Sequence, residues 1–249
     1  MAIIEKVSCK TVIRPLRTTF ATARGAKDCI TSIMVNVTCD DGSVGMGEVP
    51  TSFVVPHETP EVIVRHVRRA AKWLRGESID DWAALTTQLE SVIPDFHMTC
   101  SGIETALFRT HLESTGLDER GWWGRRKPKT VNTDITVPFA DDVETLRPWI
   151  ERATRYGFDT YKIKVSGDVR KDAKFMHSIT TMLNDAEQPH TIRLDGNQGF
   201  THDSAMRLLN RLKVDMELFE QPLKHDDFKG MKKLTAKAPL PIIADETVF

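Results

Sequence analysis

Residues 160–165 read Thr-Tyr-Lys-Ile-Lys-Val. Lys162 and Lys164 are two positions apart, so on an extended chain both side chains point to one face. Ile163 and the apolar flanks mark an interior strand, where unpaired ammonium groups are expensive unless something uses them. The alternative for a Lys-x-Lys pair is a solvated strand edge.

Outward from that strand the chain alternates. The pattern predicts strands at 131–137, 160–165, 190–195, 217–220 and 241–245, with helices at 142–156, 169–184, 202–212 and 226–237. Repeated strand-helix units with short loops predict a parallel sheet with right-handed crossovers. Each unit has roughly the length of one repeat of an eight-fold β/α barrel. The preceding part reads differently. Residues 1–13 alternate loosely, and Ser32–Cys39 and Ser43–Glu48 flank the turn Asp40-Asp41-Gly42. Helices are predicted at 58–74, 80–92 and 101–114. Strands followed by helices make an α+β domain over residues 1–125, and the β/α units occupy 126–249. The junction GWWGRRKPKT (121–130) reads as an exposed connection with its tryptophans packed on a neighbour.

Polar residues recur at the C-terminal ends of the predicted strands. They are Lys164, Asp195-Gly196-Asn197-Gln198, Glu220-Gln221 and Asp245-Glu246, and the intervals from Lys164 through Asp195 and Glu220 to Asp245 are 31, 25 and 25 positions. In a β/α barrel these ends converge on one mouth, where catalytic groups sit. Three carboxylates facing one another repel unless a cation stands among them. Oxygen ligands from separate strands suit a hard ion such as Mg²⁺. Two adjacent ammonium groups near a metal disfavour each other's charge, so the lysine pKa values are expected to fall towards the working pH of a general base.

The motifs YKIKV, RLDGNQGF, ELFEQPL and PIIADETVF, in this order, resemble the enolase superfamily in its muconate-lactonizing subgroup. PLRTTFATARGAKD and DDGSVGMGEVPTS resemble that family's capping domain. The resemblance implies an α/β fold. An α+β N-terminal capping domain would be followed by the first five β/α units of an enolase-type (β/α)7β barrel. Within the subgroup the chain is most similar to dipeptide epimerases of the L-Ala-D/L-Glu kind. It thereby implies Asp195, Glu220 and Asp245 as Mg²⁺ ligands, Lys164 as an acid/base catalyst and Lys162 as its electrostatic partner. Asn197 and Glu246 would lie behind the ligands. Arg24, in the position of the family's lid, and Thr136, at the end of the first barrel strand, would contact substrate. The same residues would serve a cycloisomerase or an o-succinylbenzoate-synthase-like dehydratase, and a non-catalytic fragment would keep the metal ligands and bind Mg²⁺ without turnover.

The family's second acid, a lysine at the end of the sixth barrel strand, has no counterpart before Phe249, and neither does the strand-eight loop that reads the substrate. The expectation is a C-terminally truncated chain. Lys and Arg total 34 against 35 Asp and Glu, which argues against a nucleic-acid partner. Apolar stretches fall short of a membrane span, and Glu5 and Lys6 stand where a signal peptide needs an apolar core. A cytoplasmic protein acting on a small molecule, with homo-oligomers possible, is expected. The four cysteines, at 9, 29, 39 and 100, form no Cys-x-x-Cys pair and read as reduced structural thiols. The histidines show no metal spacing.

Overall fold

Asp41 shapes the first turn: its Oδ1 accepts the Ser43 N–H at 2.9 Å and the Ser43 hydroxyl at 2.6 Å. Either side run β2 (Gly25–Cys39) and β3 (Val44–Pro50), antiparallel, with Ser32 opposite Pro50 and Thr38 opposite Val44. Strand β1 (Ile4–Thr22) completes a sheet ordered β1-β2-β3. This computed structural model describes all residues except 23–24, 53–54, 125–130, 187 and 249. The chain divides into two compact units, Met1–Arg17 with Asp28–Lys129, and Thr18–Lys27 with Thr130–Phe249.

In the first unit three helices cover the sheet: α1 (Pro60–Leu74), α2 (Trp82–Val92) and α3 (His97–Ser114). Helix α1 starts where Thr59 accepts the Val62 N–H and Pro60 presets the first turn. Helix α3 has no local cap. The buried Glu58 supplies one from a distance, accepting the N–H groups of Met98 and Thr99 at 2.9 and 2.8 Å. The sheet meets α3 through Gly45 and Gly47, whose missing side chains let strand and helix backbones touch. The core gathers Ile33, Val35, Val37, Ile63, Val67, Leu89, Ile103 and Leu107.

The short α4 (Glu119–Trp122) follows. Trp122 packs on Phe108 and Trp82, with ring centroids 5.6 and 6.0 Å apart, but Trp123 is 68% exposed. The expectation of two packed tryptophans therefore holds for one. Neighbouring positions on a helix end face about 100° apart, and only one can meet the Trp82 ring. All four cysteines are free thiols.

The second unit is a five-stranded parallel sheet ordered β4-β5-β6-β7-β8. Its strands are β4 (Ile135–Val137), β5 (Thr160–Lys164), β6 (Thr191–Asp195), β7 (Leu218–Glu220) and β8 (Ile242–Ile243). Between them lie α5 (Arg147–Arg155), α6 (Val169–Asp185), α7 (His202–Arg211) and α8 (Phe228–Thr235). Val137, Tyr161, Ile163, Ile192, Leu194 and Phe219 on the strands share one buried cluster with Ile150, Phe175, Ile179, Ala205, Leu208 and Leu234 on the helices. One face of the sheet is thus spent on the helices. The other is free to carry polar chemistry. No described helix is long and apolar enough to cross a membrane.

Candidate active site

The strand register assembles the site. Lys164 lies opposite Asp195, Asp195 opposite Glu220, and Glu220 opposite Ile243, so residues of four neighbouring strands form one row. Paired residues on parallel strands project to the same face. The next row down carries Thr136, Lys162, Arg193 and Leu218. Asp245 stands two positions beyond Ile243, just past the end of β8. Lys162, Lys164, Asp195 and Glu220 therefore share the polar face. Thr136 is half-buried opposite Lys162. Arg24 lies outside the described residues.

Each lysine has a carboxylate. Lys164 Nζ donates to Asp195 Oδ2, and both residues are buried, at 8% and 1% exposure. Lys162 Nζ stands 3.2 and 3.4 Å from the two Glu220 oxygens. Asp195 uses its other oxygen to accept the Asn197 N–H at 2.9 Å.

The expectation that both lysine pKa values fall is corrected at Lys162, whose pKa is raised. Burial alone pulls it down. The charge and hydrogen bond of Glu220, joined by Asp195 and Asp134, outweigh burial. The Glu220 pKa is also raised, first by burial and then by Asp195, with Asp245 adding to the repulsion that Lys162 opposes. The three carboxylates are therefore close enough to feel one another.

Among the described residues no three His, Cys, Asp or Glu side chains form a ready ligand cluster. The lysines occupy two of the carboxylates, and ligand-type convergence would require those ion pairs to open. Other observations fit a hard cation. The donors are all carboxylate oxygens. Two oxygens behind them, Asn197 Oδ1 and Glu246 Oε2, are buried without a hydrogen-bond partner. Buried polar atoms of that kind are rare and call for a bound water or ion.

Three non-glycine residues at the strand ends have positive φ: Asn197 at 40°, Gln198 at 67° and Gln221 at 33°. Such backbone costs of order 1–3 kcal/mol each and clusters at functional sites. Sequence reasoning missed three supporting residues. Arg193, in the row of Lys162, joins Asp134 at 2.9 Å and Glu217 at 2.5 Å. Asp172, fully buried on α6, accepts Ser166 N–H, Ser166 hydroxyl and Gly167 N–H at 2.8, 2.7 and 3.0 Å. It thereby fixes the loop that leaves Lys164. Gln221 reaches across to the segment after β8. Of these Arg193 had a sequence signal, standing two positions before Asp195 on the same strand, and Gln221 stood in the polar run that ends its strand without a role assigned to it.

Residues 145–249 match a family described as enolase C-terminal domain-like. The L-Ala-D/L-Glu epimerase of Bacillus subtilis is 29% identical over 99% of this chain and 67% of its own length. The solved structure of a substrate-liganded complex of the L-Ala-D/L-Glu epimerase from Bacillus subtilis superposes with a TM-score of 0.89 at 28% identity, over 98% of this chain and 68% of that one. A muconate lactonizing enzyme from Pseudomonas fluorescens, complexed with muconolactone, gives 0.89 at 25% identity, over 99% and 67%. The chain spans about two thirds of the length of such relatives. It resembles the enolase superfamily along nearly its whole length, and relatives it matches are named as epimerases, a class of isomerase.

Proposed function

We propose that this chain, whose residues 145–249 are an enolase C-terminal domain-like segment, serves Mg²⁺-dependent removal of a proton next to a carboxylate, and that the reaction is epimerisation of a dipeptide of the L-Ala-D/L-Glu kind. One observation carries the reading: Lys164, Asp195 and Glu220 form a row across three adjacent strands, with Lys162 on the same face. Basic and acidic groups set at strand ends, facing one mouth, are what abstraction of a weakly acidic proton needs.

Asp195, Glu220 and Asp245 would hold the cation, with Asn197 and Glu246 supporting them. Bound there, Mg²⁺ would supply positive charge against the second negative charge that proton loss puts on the substrate carboxylate. Lys164 takes the α-proton as a neutral amine, once its ion pair with Asp195 has opened and its own ammonium proton has passed to solvent. Lys162 stays charged, as its Glu220 contact favours, and stabilises the same developing anion. It acts as an electrostatic partner and not as a second base. Thr136 and Arg24 are proposed to contact the substrate.

The test is proton exchange. L-Ala-L-Glu in D₂O with Mg²⁺ should lose its Glu α-proton signal in ¹H NMR on addition of the chain, and Lys164→Ala should stop the loss. Exchange that continues in Lys164→Ala refutes the base assignment. The likeness to a muconate lactonizing enzyme sustains a second reading, a cycloisomerase or dehydratase using the same groups. No exchange on a panel of dipeptides, together with turnover of muconolactone, would favour it.

A further inference from the structure

Behind the carboxylates the ends of β6, β7 and β8 are tied by one hydrogen-bonded run. Gln198 Oε1, after β6, accepts the His225 N–H at 3.0 Å and faces His225 Nδ1 at 3.1 Å. The His225 carbonyl accepts the Thr247 hydroxyl at 3.1 Å. Gln221 Nε2 donates to that same hydroxyl at 2.8 Å and to the Leu223 carbonyl at 2.9 Å. Gln221 Oε1 accepts the N–H groups of Asp245 and Thr247 at 2.8 and 3.1 Å. Both amide protons and both lone pairs of Gln221 are therefore used, on a side chain with no exposed surface.

The need for such a run follows from the ladder. Strand β8 pairs with β7 through only two residues, Ile242 and Ile243. Asp245 lies beyond that pairing, so sheet hydrogen bonds alone do not fix it. Gln221 extends the ladder twice, first when its own N–H donates to the Ile243 carbonyl at 2.8 Å, then through its side chain. Its positive φ of 33° is the backbone cost of doing both. Gln198, likewise at positive φ, repeats the device one strand earlier.

We propose that Gln221, Thr247 and His225 are positioning residues that set Asp245 for cation binding and couple it to the Asp195–Gln198 loop. The inference rests on the reading of Asp245 as a metal ligand. Buried amides left without partners cost more than the bond itself was worth, so breaking one link frees the whole segment after β8.

The probe is Mn²⁺, an oxygen-seeking stand-in for Mg²⁺ that can be titrated by electron paramagnetic resonance. Thr247→Val removes the hydroxyl and keeps the side-chain shape, while Thr247→Ser keeps the hydroxyl. Thr247→Val should bind Mn²⁺ at least about tenfold more weakly, with a single cooperative urea transition whose midpoint falls modestly because the Gln221 amide loses a partner, and Thr247→Ser should bind nearly as the unaltered chain does. Equal Mn²⁺ affinity in Thr247→Val would overturn the inference alone. Mn²⁺ binding absent from the unaltered chain would overturn the metal reading, and this inference with it.

Discussion

Lys162 and Glu220 reach each other across β6, the strand that separates theirs, at 3.2 Å. The contact reverses the direction in which two neighbouring ammonium groups would move each other, because a half-buried carboxylate nearby counts for more than a like charge two residues away. It also makes Lys162 the counter-charge for a carboxylate crowded by Asp195 and Asp245. Lys162→Met should therefore leave Glu220 unbalanced, at a cost of about 2 kcal/mol or more for a partly buried carboxylate stripped of its partner. In a chelating buffer the melting temperature should fall. Added Mg²⁺ should then stabilise the variant more than it stabilises the unaltered chain. If Mg²⁺ raises both melting temperatures equally, the three carboxylates do not share a cation.

Asp172 gathers three donors from the loop between β5 and α6 while lying wholly inside the unit. Asp172→Ala strands the N–H groups of Ser166 and Gly167 and should destabilise the chain by about 2 kcal/mol. The effect should spread to the catalytic row, because Ser166 is two residues from Lys164. Amide hydrogen exchange of residues 160–168 should speed up by more than that of the sheet β1-β2-β3. Uniform acceleration over both units would instead mean a global loss of stability.

A side chain at Gly47 would place its Cβ 1.9 Å from the Gly102 carbonyl oxygen and 3.0 Å from the Ala106 nitrogen. Both obstacles are helix backbone, so no rotamer change relieves the clash. Gly47→Ala should cost about 2–3 kcal/mol, the upper range for overpacking, because strand and helix must separate. A urea midpoint unchanged from that of the unaltered chain would show that β3 and α3 are free to slide apart.

The alternating half was legible because each strand-helix unit must bury one strand face and one helix stripe, and both periods survive in the sequence. The row Lys164, Asp195 and Glu220 was legible because each of the three residues stands at the end of its predicted strand, and such ends meet on neighbouring parallel strands. Helix α3 begins at His97, four positions before the predicted start, because its cap is Glu58, some forty residues away. Strand β1 continues to Thr22 through largely exposed residues. Pairing with β2, and not hydrophobic alternation, holds it. The first barrel strand is shorter than predicted. Only Ile135–Val137 find partners on β5, and Val131 is 78% exposed. Gln221 was visible as a polar residue at a strand end, but its role was not legible. Its role depends on which N–H groups the fold brings within reach, and a Glu-Gln-Pro string does not contain that information.

His66 stacks on Phe96 with ring centroids 3.9 Å apart, and its buried Nδ1 has no hydrogen-bond partner. Burial lowers its pKa, Arg65 and Arg69 lower it further, and Glu58 opposes them more weakly. The folded chain therefore prefers the neutral ring, whereas the unfolded chain takes up a proton near the ordinary histidine pKa of about 6.5. This contribution to stability is present above that value and is lost as pH falls through the lowered folded pKa. His66→Phe keeps an aromatic ring against Phe96 and removes both the titration and the unpaired nitrogen. Urea midpoints at about pH 7.5 and about pH 5.5, either side of the ordinary histidine pKa, should fall less for the variant than for the unaltered chain. At the higher pH the variant should be at least as stable. Equal losses in both proteins would mean that His66 is protonated in the fold, with Glu58 outweighing burial and the two arginines.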